Sequence, residues 1–235
     1  SSSAASDVYK RQTEILENLA LYKEVHAQWD INEKVALETA TGCSLGGARA
    51  AATMKHVGLN VAFDAFVTLA YTGINGGLVV INADDPGMHS SQNEQDNRFL
   101  GRFSYVPVIE PADSAETKDF MLKAFDISEE FDLPVLFRMT TRVAHSKSVV
   151  ELDENFVYEK RKKEAAVPWD KYVMMPLNAK KRRVSLSERF EKLKKFSEIT
   201  ELNSEEQGSM EMAFVVSGAA YNLSLIHISE PTRPY

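Results

Sequence analysis

The chain has one cysteine, Cys43, in 235 residues. An internal disulfide is thereby excluded, and so is any zinc or iron-sulfur site built from several thiolates of this stretch. Such cysteine usage points to a reducing, cytoplasmic setting. Long apolar runs are missing too: the strongest, GLVVIN and MAFVV, fall far short of the ~18 residues that a membrane-spanning helix needs. Basic charge is in deficit, with Lys+Arg 27 against Asp+Glu 34 and a net charge of -7, which argues against nucleic acid as the main partner. Neither a membrane nor nucleic acid is therefore expected as a partner. What is present, 44% hydrophobic and 26% charged residues, is the composition of a folded chain with one large domain or two modest ones.

The two ends do not read as protein. Asp7 to Gln12 (DVYKRQ) back-translates to DNA whose reverse complement encodes LSLIHI, the string at Leu223 to Ile228. Mutually inverted flanks of this kind resemble the arms of a sequencing-library adapter, so residues 1–12 and 223–235 are read as adapter translation. Residues 13–222 then form an interior piece of a longer gene.

Within that piece, strand-like and helix-like runs alternate. Strands are expected at VHAQW (25–29), ARAAAT (48–53), GLVVIN (77–82), VPVIE (106–110) and VLFRM (135–139). Helical spacing appears between them, over 13–23 with Ile15, Leu16, Leu19 and Tyr22 on one face, and over 114–131 with Phe120, Ala124, Ile127 and Phe131 on another. GLVVIN lacks the polar alternation of a half-exposed strand, so the sheet should be mainly parallel and covered on both sides. The expectation is a three-layer α/β domain over 13–150, truncated at its amino-terminal side. A charged connector with a short strand near 171–175 and a helix over 185–198 follows, at 151–208. MAFVVSGAAY (212–221) reads as the first strand and turn of another α/β domain, beginning near 209. The lysine-rich clusters Lys160–Lys163 and Lys180–Arg183 read as solvated surface, because no aromatic residues are interleaved for base stacking.

Ligands of parallel sheets gather at the carboxyl ends of the strands. Three polar clusters follow strand candidates: MKHVGLN (54–60), ADDPGMHSSQNEQDNR (83–98) and TTRVAHS (140–146). Convergence of His56, His89, Arg98, Arg142 and His145 on one edge would suit an anionic small molecule. Asp84, Asp85 and His89 also admit a metal reading, although Asp-Asp-Pro-Gly is an ordinary turn. Asp30-Ile31-Asn32-Glu33 fits a helix capping box with the aspartate as cap, and the same Glu33 also suits a carboxylate at a cleft that bonds a ring nitrogen. The small residues of GCSLGGARAA (42–51) permit close packing without making a GxGxxG fingerprint, and Cys43 among them reads as core. Ser44 lacks a nucleophile-elbow context.

NEKVALETATGCSLGGARAAATMKHVGLN (32–60), GGLVVINADDPGMHSSQNEQDNR (76–98) and SEEFDLPVLFRMTTRVAHS (128–146) closely resemble the large, alpha subunits of the indolepyruvate:ferredoxin oxidoreductases. These belong to the thiamine diphosphate-dependent 2-oxoacid:ferredoxin oxidoreductases. The likeness covers essentially all of 13–222, and HSSQNEQDNR and TMKHVGLN are long, unusual strings.

The resemblance implies a pyrimidine-type thiamine-binding domain up to about residue 150 and a transketolase C-terminal-like domain beginning near Ser209. It assigns Glu33 to the glutamate that bonds the aminopyrimidine ring and directs its proton. Gly58, Leu59 and Asn60 would line the cofactor, and His56, His89 and Arg98 would face the substrate carboxylate. The implied reaction is oxidative decarboxylation of an aryl 2-oxo acid, indolepyruvate, to acyl-CoA, with coenzyme A as acyl acceptor and ferredoxin as electron acceptor. A smaller beta subunit is the implied partner, and magnesium and 4Fe-4S clusters lie in parts of the parent outside this stretch. A sister 2-oxoacid:ferredoxin oxidoreductase and a non-catalytic domain serving subunit assembly are the alternatives. Neither the diphosphate-anchoring domain with its glycine-aspartate metal motif, nor the cysteine-rich region, nor the family's opening strand is recognised here. The fragment by itself should therefore be inactive.

Overall fold

β-branched and apolar runs that cannot face water on either side must pair in the middle of a sheet, and GLVVIN does so. In the computed structural model, which describes residues 12–152, 164–165, 168–207 and 213–226, four strands form one parallel sheet of order β1-β2-β4-β3. They are β1 (Ala50–Lys55), β2 (Leu78–Asp84), β3 (Val108–Ile109) and β4 (Val135–Thr140). Leu78, Val79, Val80 and Asn82 are fully buried, so β2 is covered on both faces.

Helices supply that cover. α1 (Gln12–Leu19), α2 (Glu33–Leu45), α3 (His56–Thr72), α4 (Arg98–Ser104), α5 (Ser114–Phe131) and α6 (Thr141–His145) alternate with the strands, and the expected helix 114–131 forms residue for residue. α3 buries Leu59, Ala62, Phe66, Leu69 and Ala70, the i, i+3, i+4 stripe of a core-facing helix, against β1 and β2. α5 buries Ala124, Ile127 and Phe131 against β2 and β4. Asp113 caps α5 by accepting from Glu116 N at 3.0 Å.

Beyond the sheet lie α7 (Trp169–Tyr172), α8 (Pro176–Ile199) and α9 (Ala219–Ser224). α8 is anchored through Asp132, the left-handed residue that ends α5. Its carboxylate accepts from Ile74 N at 2.8 Å and pairs with Lys171 at 2.8 Å and with Arg182 and Arg189 at 3.3 Å. Burial lowers Arg189 to about 10. No helix among the described residues is long and apolar enough to cross a membrane.

Several expectations are corrected. VHAQW is not a strand: Val25 and Trp29 are exposed, and His26, Gln28 and Asp30 bond one another instead of a ladder partner. Residues 171–175 contain the end of helix α7 and no strand, since Pro168 opens a helical turn whose carbonyl takes the Lys171 and Tyr172 amides. Residues 213–217 are exposed and form no strand, although Gly218 supplies the expected turn, after which the chain enters helix α9; residue 212 lies outside the described residues. The α2 cap is Asn32, whose Oδ1 accepts from Val35 N at 2.9 Å, while Asp30 takes Gln28. Cys43 is exposed, because Ser44 takes the inward position and donates to Gly76 O. The 180–183 cluster is only half solvated: Arg182 donates to Tyr71 O and Thr72 O, and Arg183 to Tyr105. Lys160–Lys163 lie outside the described residues.

Asp132→Asn keeps a residue that tolerates the left-handed conformation but removes the charge shared by Lys171, Arg182 and Arg189. It should lower unfolding stability by about 1–3 kcal/mol in urea titrations. An unchanged midpoint would show that the anchor contributes nothing.

Candidate active site

Parallel pairing aligns the carboxyl ends of the strands: Lys55 lies opposite Ala83, and Asp84 opposite Thr140. Charged residues inside apolar strand runs therefore meet at one edge. Arg138, with 4% of its side chain exposed, donates from Nε to Asp84 Oδ2 at 2.6 Å and from Nη1 to Glu110 Oε1 at 2.6 Å. One guanidinium thus ties β2, β4 and the end of the β3 segment together. Desolvation pushes the Asp84 carboxyl above the usual carboxylate range, and Arg138 and the Asn97 amide pull it back.

The 85–97 loop is held by the same edge. Asn97 N donates to Asp84 Oδ2 at 3.1 Å, and its side-chain amide donates to Asn82 Oδ1 at 2.7 Å. Asp85 accepts from the amides of His89 and Ser90 and from Thr141 Oγ1 at 2.7 Å. His56 is fully buried at the start of α3, its ring against Asn93 O at 3.2 Å and Ala83 O at 3.4 Å. Its carbonyl accepts from Gln95 and Asn97, and Gln95 and Asn60 exchange two amide hydrogen bonds at 3.0 Å. The loop is ordered by a polar network with almost no regular structure of its own.

Glu33 opens α2, half-buried, with its side chain over the first turn of α3. A Cβ on Gly58 would lie 2.7 Å from Glu33 Cγ and 2.8 Å from Oε1, so only glycine permits this approach. The Glu33 carboxylate makes no hydrogen bond or ion pair with any described residue. Leu59, next along α3, is fully buried.

Arg98 lies at the start of α4 with 48% of its side chain exposed. Nε meets Asp96 Oδ1 at 2.8 Å and Nη2 meets Oδ2 at 2.6 Å, which holds the Asp96 carboxyl below its ordinary value. Nη1 donates to Ser217 Oγ at 3.3 Å. A guanidinium has five N–H donors; among the described residues one N–H on each terminal nitrogen is left without a hydrogen bond, with Glu110 Oε2 3.7 Å from Nη1.

The five basic residues expected together are not joined by any hydrogen bond. His56 is buried in the network, while His89, Arg142 and His145 are exposed. A cavity of about 310 Å³ beside the polar edge is lined by Ile15, Ile81, Met139, Thr140 and His145 among others, but not by Glu33, Gly58, His56, His89 or Arg98. Among the described residues no group of three or more His, Cys, Asp or Glu could hold a metal ion, and Asp84 and Asp85 are already engaged. Arg138, Glu110, Asn97 and Gln95 were not singled out from the sequence; a charged residue inside VLFRM and another ending VPVIE were the available signals.

Residues 5–216 match a family model described as pyruvate flavodoxin/ferredoxin oxidoreductase, thiamine diphosphate-binding. The chain is 42% identical over 202 residues to indolepyruvate oxidoreductase subunit IorA of Archaeoglobus fulgidus, covering 84% of this chain and 32% of that protein. To the subunit of the same name from Pyrococcus horikoshii it is 49% identical over 145 residues, covering 60% and 22%. It spans a third or less of the length of these relatives. Among solved structures, 2-oxoglutarate:ferredoxin oxidoreductase from Magnetococcus marinus, with 2-oxoglutarate, coenzyme A and succinyl-CoA bound, superposes with a TM-score of 0.57 at 12% identity, covering 78% of this chain and 40% of that one. That likeness concerns the fold alone.

Arg138→Met would leave Asp84 and Glu110 buried without their cation. Stability should fall by about 3–5 kcal/mol in chemical denaturation. A loss below about 1 kcal/mol would contradict the bridge's role at the strand ends.

Proposed function

Because the chain belongs to the pyruvate flavodoxin/ferredoxin oxidoreductase, thiamine diphosphate-binding family, we propose that residues 13–150 hold the pyrimidine end of thiamine diphosphate in an indolepyruvate:ferredoxin oxidoreductase. The substrate is an aryl 2-oxo acid, the product its acyl-CoA, and the electron acceptor ferredoxin. Residues 151–208 connect this unit to a transketolase C-terminal-like domain that begins near 209. A smaller beta subunit, magnesium at the diphosphate and 4Fe-4S clusters complete the protein; a stretch with one cysteine cannot itself ligate a cluster.

The observation that carries the reading is Glu33: a half-buried carboxylate, without a hydrogen-bond partner among the described residues, pressed against a glycine backbone at the carboxyl edge of a parallel sheet. This arrangement fits the pyrimidine ring, which needs one carboxylate at a ring nitrogen and a flat, apolar wall. Thiamine diphosphate, when bound, supplies the electron sink for loss of carbon dioxide. Glu33 holds the proton shared between its carboxylate and that ring nitrogen. Gly58 keeps the first turn of α3 close enough to fix the side chain, and the buried Leu59 roots that turn in the core. Asn60, locked to Gln95, carries the wall on to the 85–97 loop.

Arg98 takes the substrate carboxylate on its two remaining N–H groups. His89, exposed in the loop with its amide on Asp85, flanks the entrance. His56 acts indirectly, because both of its ring nitrogens lie against backbone carbonyls and it is fully buried. Its work is to hold the loop that carries His89 and Arg98.

In the full-length subunit with its partner, Glu33→Gln should reduce decarboxylation of indolepyruvate by about 10²- to 10⁴-fold while leaving the unfolding temperature unchanged. Turnover within a few-fold of the parent would remove Glu33 from the mechanism. Comparing indolepyruvate, phenylpyruvate and pyruvate in an electron-acceptor assay tests the aryl preference, and equal specificity for pyruvate would overturn it.

A further inference from the structure

The segment after the connector returns to the polar edge at one point. Ser217 Oγ accepts from Arg98 Nη1 at 3.3 Å and reaches Glu110 Oε2 at 3.4 Å. Gly218, buried and at φ 56, sits against the same glutamate: a Cβ there would lie 2.5 Å from Glu110 Oε1 and 2.6 Å from its Cγ. Glu110 cannot swing away to make room, because Oε1 is bonded to Arg138 at 2.6 Å and only 9% of the side chain is exposed. Asn222 closes the contact by donating to Ala112 O at 3.1 Å.

Arg98 is thus gripped from two sides. Asp96 takes the Nε edge, while Ser217 and Glu110, the latter 3.7 Å from Nη1, take the other. Without the second grip the guanidinium keeps, among the described residues, only Asp96, which the Arg98 backbone amide holds at 3.0 Å and Arg138 Nε approaches at 3.9 Å, so the Nη1 end of the group loses its support. A carboxylate fork is specific only when its plane is fixed, since an unfixed fork must be ordered when the ligand binds.

We propose that Glu110 and the Ser217-Gly218 turn form a clamp that positions Arg98 for the carboxylate of the 2-oxo acid, so that docking of the 217–222 segment sets substrate affinity. The clamp rests on the proposed role of Arg98. Glu110 and Ser217 are positioning residues: they touch the arginine, and the substrate meets only the arginine.

The test uses the full-length subunit with its partner, loaded with thiamine diphosphate, and phenylpyruvate as the probe. Ser217→Ala should raise KM by about threefold to tenfold, the range of one lost hydrogen bond, with kcat within about twofold. Amide hydrogen exchange over 98–104 should quicken in the same variant. Ser217→Thr, which keeps the hydroxyl, should restore both. Glu110→Gln serves as the second variant and should raise KM in the same direction if it folds. Unchanged KM and unchanged exchange in Ser217→Ala overturn the clamp. Arg98→Lys separates the two readings: if it raises KM while Ser217→Ala does not, the clamp falls and the carboxylate role of Arg98 stands. If Arg98→Lys leaves KM unchanged, the carboxylate role fails and the clamp fails with it.

Discussion

A buried guanidinium with a carboxylate on each side is the constraint on which this edge of the molecule depends. Arg138 has almost no access to water, so its charge is tolerable only while Asp84 and Glu110 stay within hydrogen-bond distance. That requirement fixes how far apart the ends of β2, β4 and the β3 segment can stand. Asp84 in turn accepts from the Asn97 backbone amide, the Asn97 side chain donates to Asn82, and the loop before Arg98 acquires a defined path. An apolar residue at 138 would pack as well in the sheet but would leave that loop without an electrostatic anchor.

The opposite edge is held by a mirror of this arrangement, a carboxylate among cations. Asp132 gathers Lys171, Arg182 and Arg189 and so fastens α7 and α8 to the turn between α3 and β2. α7 and α8 are therefore fastened to the sheet domain at the edge opposite Arg138. Open parallel sheets bind their ligands at the carboxyl ends of the strands, which is the edge that Arg138 organises.

Elements defined by their own periodicity were legible in the sequence. The continuous run GLVVIN became the doubly covered β2, and the Phe120, Ala124, Ile127, Phe131 stripe became α5. Elements that depend on a neighbour were not. VHAQW has strand composition but no strand beside it, and the short apolar run near 171–175 follows a proline that starts a helical turn. The site divides in the same way. Glu33, Gly58 and Arg98 stood out through family-like strings, yet their surroundings are tertiary. His56 looked like a ligand-facing cation because a lone histidine in a polar loop gives no sign of its burial. Arg138 and Glu110 looked like single charges in apolar strands, and only sheet order brings them together with Asp84.

The most direct measurement is a crystal structure of the full-length subunit with thiamine diphosphate bound. The Glu33 carboxylate should lie within about 3 Å of a pyrimidine ring nitrogen, over the Gly58 backbone, with the Arg98 guanidinium facing the same cleft. A ring bound elsewhere, with Glu33 turned into solvent, would contradict that placement.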